Sequence, residues 1–308
     1  MVLSNLYENF IGFGEETSSG VTPPPPLLLD TLGADPILAV SFRKLRAGYT
    51  GNCVRVRRVP ENDTQDFGFM PNGLVDLAGI AAFVNGGSSI AYIDTWYGQQ
   101  GGIDAGLNLT QSALAQQPRI RDIFNESINY NVDVTKPSAA FSEFSREDRL
   151  TTGNISGTLT NRHTIYLVGK RRTTNADDAW LVTNGNLPVL KSPSTASMEY
   201  YITGYSPGVN GQFFSNTNTA LITTPFIYKQ AVDGVNGFTA TFNKTRSQTA
   251  TFTDASSFTP ITGVPLTLGY WFSSTRLLGN ISEFILVPDV ARTDTNIEDE
   301  INNFYGVY

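Results

Sequence analysis

The 308 residues hold one cysteine, Cys53, and one histidine, His163. A single thiol excludes an intrachain disulfide, so stability has to come from packing or from subunit assembly. One thiol and one imidazole are too few soft ligands for a structural zinc site. A Ser-His-Asp triad has only His163 to draw on, and no Gly-x-Ser-x-Gly turn stands beside it. Asp177-Asp178 is an acidic pair of the kind found in calcium loops, but no spaced set of oxygen ligands goes with it. The sequence therefore predicts no metal and no cofactor.

Charge is scarce as well: 16% of residues are Asp, Glu, Lys or Arg, with a net charge of −7. A net acidic chain is unsuited to wrapping phosphate backbones, so no nucleic-acid partner is expected. No stretch approaches the roughly 20 apolar residues that span a bilayer, so no membrane insertion is expected either. Met1 to Gly20 contains Glu8, Glu15 and Glu16 and lacks the basic-then-apolar order of a secretory signal. These features predict synthesis in a bacterial cytoplasm.

What is plentiful is glycine (28 residues), together with Ser, Thr and Asn, a balance suited to short strands joined by polar turns. Residues 1–26 read as an arm. They end in Pro23-Pro24-Pro25-Pro26, a stiff polyproline spacer, and carry Phe10, Ile11 and Phe13 as apolar residues that need burial against another chain. Residues 27–308 read as one domain. Its expected opening is a short helix with Ser41 as N-cap. Val54-Arg55-Val56-Arg57 then alternates as a half-buried strand, with both arginines facing solvent or acidic neighbours such as Glu61, Asp63 and Asp66. Leu74, Leu77, Ala81 and Val84 recur at helical spacing, and Ile90 to Tyr97 is a strand leading to a glycine-rich loop. Residues 126–159 read as an inserted, exposed segment. From His163 a succession of strands runs to Val287, followed by a terminal helix on which Ile297, Ile301, Phe304 and Tyr305 share one face.

Two regions carry a family resemblance. Ser41-Phe42-Arg43-Lys44-Leu45-Arg46-Ala47-Gly48-Tyr49-Thr50-Gly51, Gln65-Asp66-Phe67-Gly68-Phe69, Thr95-Trp96-Tyr97-Gly98-Gln99-Gln100-Gly101-Gly102-Ile103-Asp104-Ala105 and Gln116-Gln117-Pro118-Arg119-Ile120 occur in order. They resemble the opening of the fungal α-L-arabinofuranosidase B catalytic domain and, more closely, phage structural proteins that carry that domain. Thr164 to Lys170 and Leu278 to Ile285 are similar to the early and late strands of laminin-G-type sandwiches. The resemblance implies an all-β, concanavalin A-like β-sandwich (jelly roll) with a few short helices, borne on a virion as a head decoration, head fibre or tail-associated adhesin. Implied partners are other virion proteins docked through Phe10, Ile11 and Phe13, host-surface glycans, and further copies of the chain in a homo-oligomer.

A retaining glycosidase needs two carboxyl groups about 5–5.5 Å apart. In the arabinofuranosidase family the acid is an aspartate shortly before a Gly-x-x-Tyr-Glu strand. Matching that strand to Gly279-Asn280-Ile281-Ser282-Glu283 puts Phe272 at the acid position, and no Asp or Glu lies between Asp254 and Glu283. Glu199 is the nearest candidate nucleophile, with Asp233 and Asp254 as other carboxylates. On this reading the domain has no catalytic residues and works as a lectin-like binding module, with Trp96, Tyr97, Trp180, Tyr205 and Trp271 as candidate sugar-stacking residues. The alternative is a glycoside hydrolase acting on arabinose-containing polysaccharide.

Overall fold

The computed structural model describes residues 27–308 apart from 85–89, 125–134, 142–145, 161, 173–177, 184–188, 195–196, 202–210, 214–223, 235–236, 245, 251–259, 272–274 and 293–295. The arm and Phe10, Ile11 and Phe13 lie outside the described residues.

The chain is a β-sandwich in which one continuous antiparallel sheet folds over on itself. In the first layer β20 (Gly279–Pro288) is central. One of its edges pairs with β9 (Arg162–Arg171), which continues through β14 (Phe226–Asp233) and β15 (Gly237–Phe242) to β16 (Arg246–Ala250). Its other edge is shared by β1 (Leu38–Ser41) and β7 (Pro137–Phe141). Strand β7 pairs onward with β6 (Arg119–Asp122), which touches β4 (Ile90–Trp96) and so carries the chain into the second layer. There β4 is flanked on one side by β2 (Val54–Val59) and β3 (Thr64–Phe67). On its other side the layer runs through β5 (Leu109–Thr110), β8 (Leu150–Asn154), β17 (Pro265–Leu268), β10 (Asp178–Thr183), β11 (Val189–Ser194) and β12 (Ser197–Tyr201) to β13 (Gly211–Phe213). A small hairpin, β18 (Tyr270–Trp271) with β19 (Thr275–Arg276), stands apart from this sheet.

Strand alternation sorts the apolar residues into two buried clusters. Leu38, Val40, Ile165, Leu167, Phe226, Phe284 and Leu286 of the first layer meet Val54, Val56, Ile93, Trp96, Leu150, Trp180 and Leu268 of the second in the sandwich interior. Their strand neighbours Ala39, Tyr166, Val168, Ile227, Ile285 and Val287 point the other way. That outer face is capped by Leu28, Leu29 and Leu32, on and next to α1 (Leu28–Thr31), and by Ile297, Ile301 and Tyr305 of α3 (Asn296–Tyr305). Helix α2 (Leu77–Phe83) begins where the side chain of Asp76 accepts from the Gly79 backbone N–H.

Three local expectations are corrected. No helix starts at Ser41: Leu38–Ser41 is a buried strand on the edge of β20, and long-range pairing prevails over the capping pattern. Residues 137–141 and 150–154 are sheet strands, and β7 is buried along its whole length, so this region is no exposed insertion. Arg57 faces neither solvent nor a carboxylate. It is 4% exposed, donating to Gln117 Oε1 (2.5 Å), Asn62 Oδ1 (2.6 Å) and the Leu114 carbonyl (3.1 Å), and burial lowers its pKa. Because Arg57→Ala strips these acceptors of a charged donor, it is expected to cost about 2 kcal/mol in urea unfolding. A cost as small as that of an exposed ion pair, below about 1 kcal/mol, would contradict this geometry.

Candidate functional site

The motifs that carry the family resemblance build a junction between elements. Glu283 is fully buried on β20; its carboxylate accepts from Arg43 Nε and Nη2 (2.8 and 3.0 Å), Ser41 Oγ (2.9 Å) and Tyr305 Oη (3.3 Å). Gln99 Oε1 accepts from the Leu45 N–H, and its Nε2 donates to the Ser41 and Arg43 carbonyls. Gln100 Oε1 accepts from the Ala39 N–H, and its Nε2 donates to the Asp104 and Leu107 carbonyls. Asp104 in turn accepts from the Ser156 and Gly157 N–H groups. Buried backbone polar groups need such partners, so these side chains serve the fold. None of them is left open for a substrate.

A group of outward-facing polar side chains lies on the outer surface of the second layer, opposite the interior cluster. Val54 and Val56 point inward there and Arg55 and Arg57 outward. Around Tyr92, the guanidinium groups of Arg57, Arg119 and Arg146 lie 4.6, 5.3 and 4.9 Å from the ring centroid. Arg119 and Arg146 also donate to the Tyr92 hydroxyl, and Arg146 pairs with Asp148 at 3.0 Å. Gln117 links this group to Asp94 through a 3.2 Å bond. Next to it, Arg55 binds Asp66 through two hydrogen bonds (2.8 and 2.9 Å), and Tyr97 donates to Asp66 at 2.8 Å. These bonds, led by that from Arg55, hold the Asp66 carboxyl below its ordinary pKa, while partial burial and Asp66 raise the Tyr97 phenol to about 12. Arg119 and Arg146 are remote in sequence from Tyr92, and no local spacing announces that they converge on it.

The structure separates the sequence-predicted site residues. Trp96 and Trp180 are fully buried in the sandwich interior, where no sugar reaches them. Tyr97 is half-buried on the outer face. The backbone of Trp271 lies in β18, and its side chain is outside the described residues, as are Tyr205, Phe272 and Asp254. Glu199 sits at the centre of β12, between Lys191 of β11 and Gln212 of β13. Asp233 ends β14 and pairs at 3.4 Å with the exposed Arg162. His163 is buried, its Nδ1 3.0 Å from the Thr160 carbonyl, and burial lowers its pKa to about 4. Cys53 is buried, and its thiol pKa is pushed up by that burial. Among the described residues, no group of three or more His, Cys, Asp and Glu is placed to hold a metal ion.

No family model and no curated protein matches the sequence. Solved structures do match. An arabinofuranosidase complexed with arabinofuranosyl-α-1,2-xylobiose superposes with a TM-score of 0.60 at 13% identity, covering 91% of this chain and 64% of that one. A mutant α-L-arabinofuranosidase soaked with 4-nitrophenyl α-L-arabinofuranoside gives 0.61 at 13% identity over 89% and 63%. An α-L-arabinofuranosidase soaked with a cyclic sulfate inhibitor gives 0.54 at 16% identity over 89% and 63%. The fold is therefore shared, and this chain spans just under two thirds of the length of those enzymes.

These matches correct the expectation of a non-enzymatic, lectin-like domain. The structures that superpose on about nine tenths of the chain are glycoside hydrolases. Phe272 falls on the acid position in one short aligned motif, and the lack of Asp and Glu between Asp254 and Glu283 removes an acid from that segment only. At 13% identity such an alignment does not fix register, and in a sandwich of this kind a carboxyl group can arrive from any neighbouring strand or loop.

Proposed function

We propose that the chain is a glycoside hydrolase acting on arabinose-containing polysaccharide. The observation that supports this reading is the superposition on arabinofuranosidases over about nine tenths of the chain. A shared fold does not supply a site, so the reading is tested at one. Glu199 is assigned as the nucleophile: its carboxylate attacks the anomeric carbon, a second carboxylic acid protonates the departing oxygen, and water then releases the sugar from the glycosyl-enzyme. Asp254 and Asp233 are the candidate acids. Asp254 is preferred, because Asp233 already pairs with Arg162.

Purified protein is expected to release arabinose from arabinoxylan or from an aryl arabinofuranoside, and Glu199→Gln is expected to lower that rate at least about a hundredfold while leaving the circular dichroism spectrum unchanged. No release from any arabinose-containing substrate would sink the reading. Unchanged activity of Glu199→Gln would sink the residue assignment. The closer resemblance to phage structural proteins would place such an activity on a particle, joined to neighbouring subunits by Phe10, Ile11 and Phe13. Normal particle incorporation of a chain lacking residues 1–22 would refute that placement.

A further inference from the structure

The outer face of β2, β3 and β4 carries a solvent-facing group of side chains that the proposed catalytic strand does not include. Arg55 and Asp66 form a planar pair in which both partners stay open to solvent, with side-chain exposures of 41% and 32%. The pair is held in place: Asp66 Oδ1 takes bonds from both Arg55 Nε and the Tyr97 hydroxyl, and Oδ2 takes one from Arg55 Nη2. A carboxylate oxygen accepts two hydrogen bonds, so Oδ2 has room for another. Arg55 Nη1 donates to nothing among the described residues. One acceptor, on Asp66, and one donor, on Arg55, thus stay open at the surface, which is a pattern that neighbouring hydroxyls of a sugar can engage.

Of the aromatic rings on this face, Tyr97 is bonded to the pair and Tyr49 stands on the preceding loop. Tyr97 is half-buried, with its hydroxyl fixed by Asp66 at 2.8 Å. Tyr49 donates to the Asn52 carbonyl at 2.8 Å and packs edge-on against Phe69, with ring centroids 6.1 Å apart. It also lies over Gly51 so closely that a Cβ there would sit 2.6 Å from the Tyr49 hydroxyl oxygen. Rings locked in this way lose little entropy when a ligand stacks on them.

We infer that Tyr97, Tyr49, Arg55 and Asp66 form a binding site for the hydroxyl-bearing units of a neutral polysaccharide, separate from the reaction end of the molecule. Six ladder steps, through β5, β8, β17, β10 and β11, separate β4 from Glu199 on β12, about 29 Å along the curved sheet at ~4.8 Å per step. Strands this many ladder steps apart suit a polymer held at two places. Anchoring at the tyrosine patch raises the effective concentration of the same polymer at the far strands. This site shares with the hydrolase reading only its choice of a polysaccharide partner.

The experiment is affinity gel electrophoresis in soluble arabinoxylan, with dextran as a second gel, on the full chain and four variants. The parent and Glu199→Gln are expected to be retarded equally. Tyr97→Ala and Arg55→Gln are expected to lose at least about tenfold in affinity, with unchanged melting temperature as the control for folding. Tyr97→Phe keeps the ring and serves where Tyr97→Ala unfolds: it is expected to retain part of the retardation. Retardation of Tyr97→Ala and Arg55→Gln equal to the parent overturns the site, as does a parent that neither gel retards. Equal loss in Glu199→Gln also overturns it, because the polymer would then be held at the reaction end. Full retardation of the parent without any sugar release supports this site while overturning the hydrolase reading, so the two fail separately.

Discussion

Replacing Glu283 by leucine is expected to destabilise the protein by about 3 kcal/mol, because it leaves the buried Arg43 guanidinium without its hydrogen-bonded countercharge and with only the more distant Glu300 at 3.8 Å. Arg43 is 8% exposed and Glu283 not at all, and two charge-assisted hydrogen bonds join them. Ser41 donates to the same carboxylate, so the substitution also leaves a buried hydroxyl short of its acceptor, whereas the Tyr305 hydroxyl keeps the Ser282 carbonyl at 3.3 Å. The measurement is equilibrium unfolding in urea. Arg43→Met combined with Glu283→Leu is expected to recover most of the loss, since neither partner then strands the other. A cost below about 1 kcal/mol, the range of an exposed ion pair, would show that this junction does not hold the strands and α3 together.

Lowering the pH from 7 to 4 is expected to remove about 3 kcal/mol of stability through His163 alone. Burial is the main cause that brings its pKa down to about 4 from an ordinary 6.5, with the hydrogen bond to the Thr160 carbonyl partly opposing it. The unfolded chain therefore takes up a proton at a higher pH than the folded chain does. The contribution is fully present above about 6.5, is lost progressively as pH falls toward 4, and is constant below that. As the sequence has one histidine, a single imidazole resonance reports its titration without overlap. A fitted pKa near 6.5 in the folded protein would refute the prediction. His163→Gln is expected to flatten the stability profile between pH 6.5 and 4.

Much of the sandwich was legible because strand alternation is a local signal. The pattern of residues 54–57 put Val54 and Val56 inside, and Ile297, Ile301 and Tyr305 share one buried helical face as their spacing requires. The register of β1 was not legible. Ser41 looks like a helix cap until Glu283, 242 residues away, takes its hydroxyl as a donor. Nor was the fate of Arg57: the same alternation that turns it outward from the interior carries it over Tyr92 and under Gln117, where it is buried again.

The candidate sites divide in the same way. Sequence alone determined the class of fold, the presence of one thiol and one imidazole, and a set of aromatic residues from which a sugar platform would have to be drawn. Only the tertiary structure decided which aromatics are available, sending Trp96 and Trp180 into the interior and leaving Tyr97 at the surface beside Asp66 and Arg55. The reason is that periodicity tells which residues share a face of one strand. Whether that face meets another layer or water depends on pairings between strands far apart in the chain, and those contacts leave no local trace.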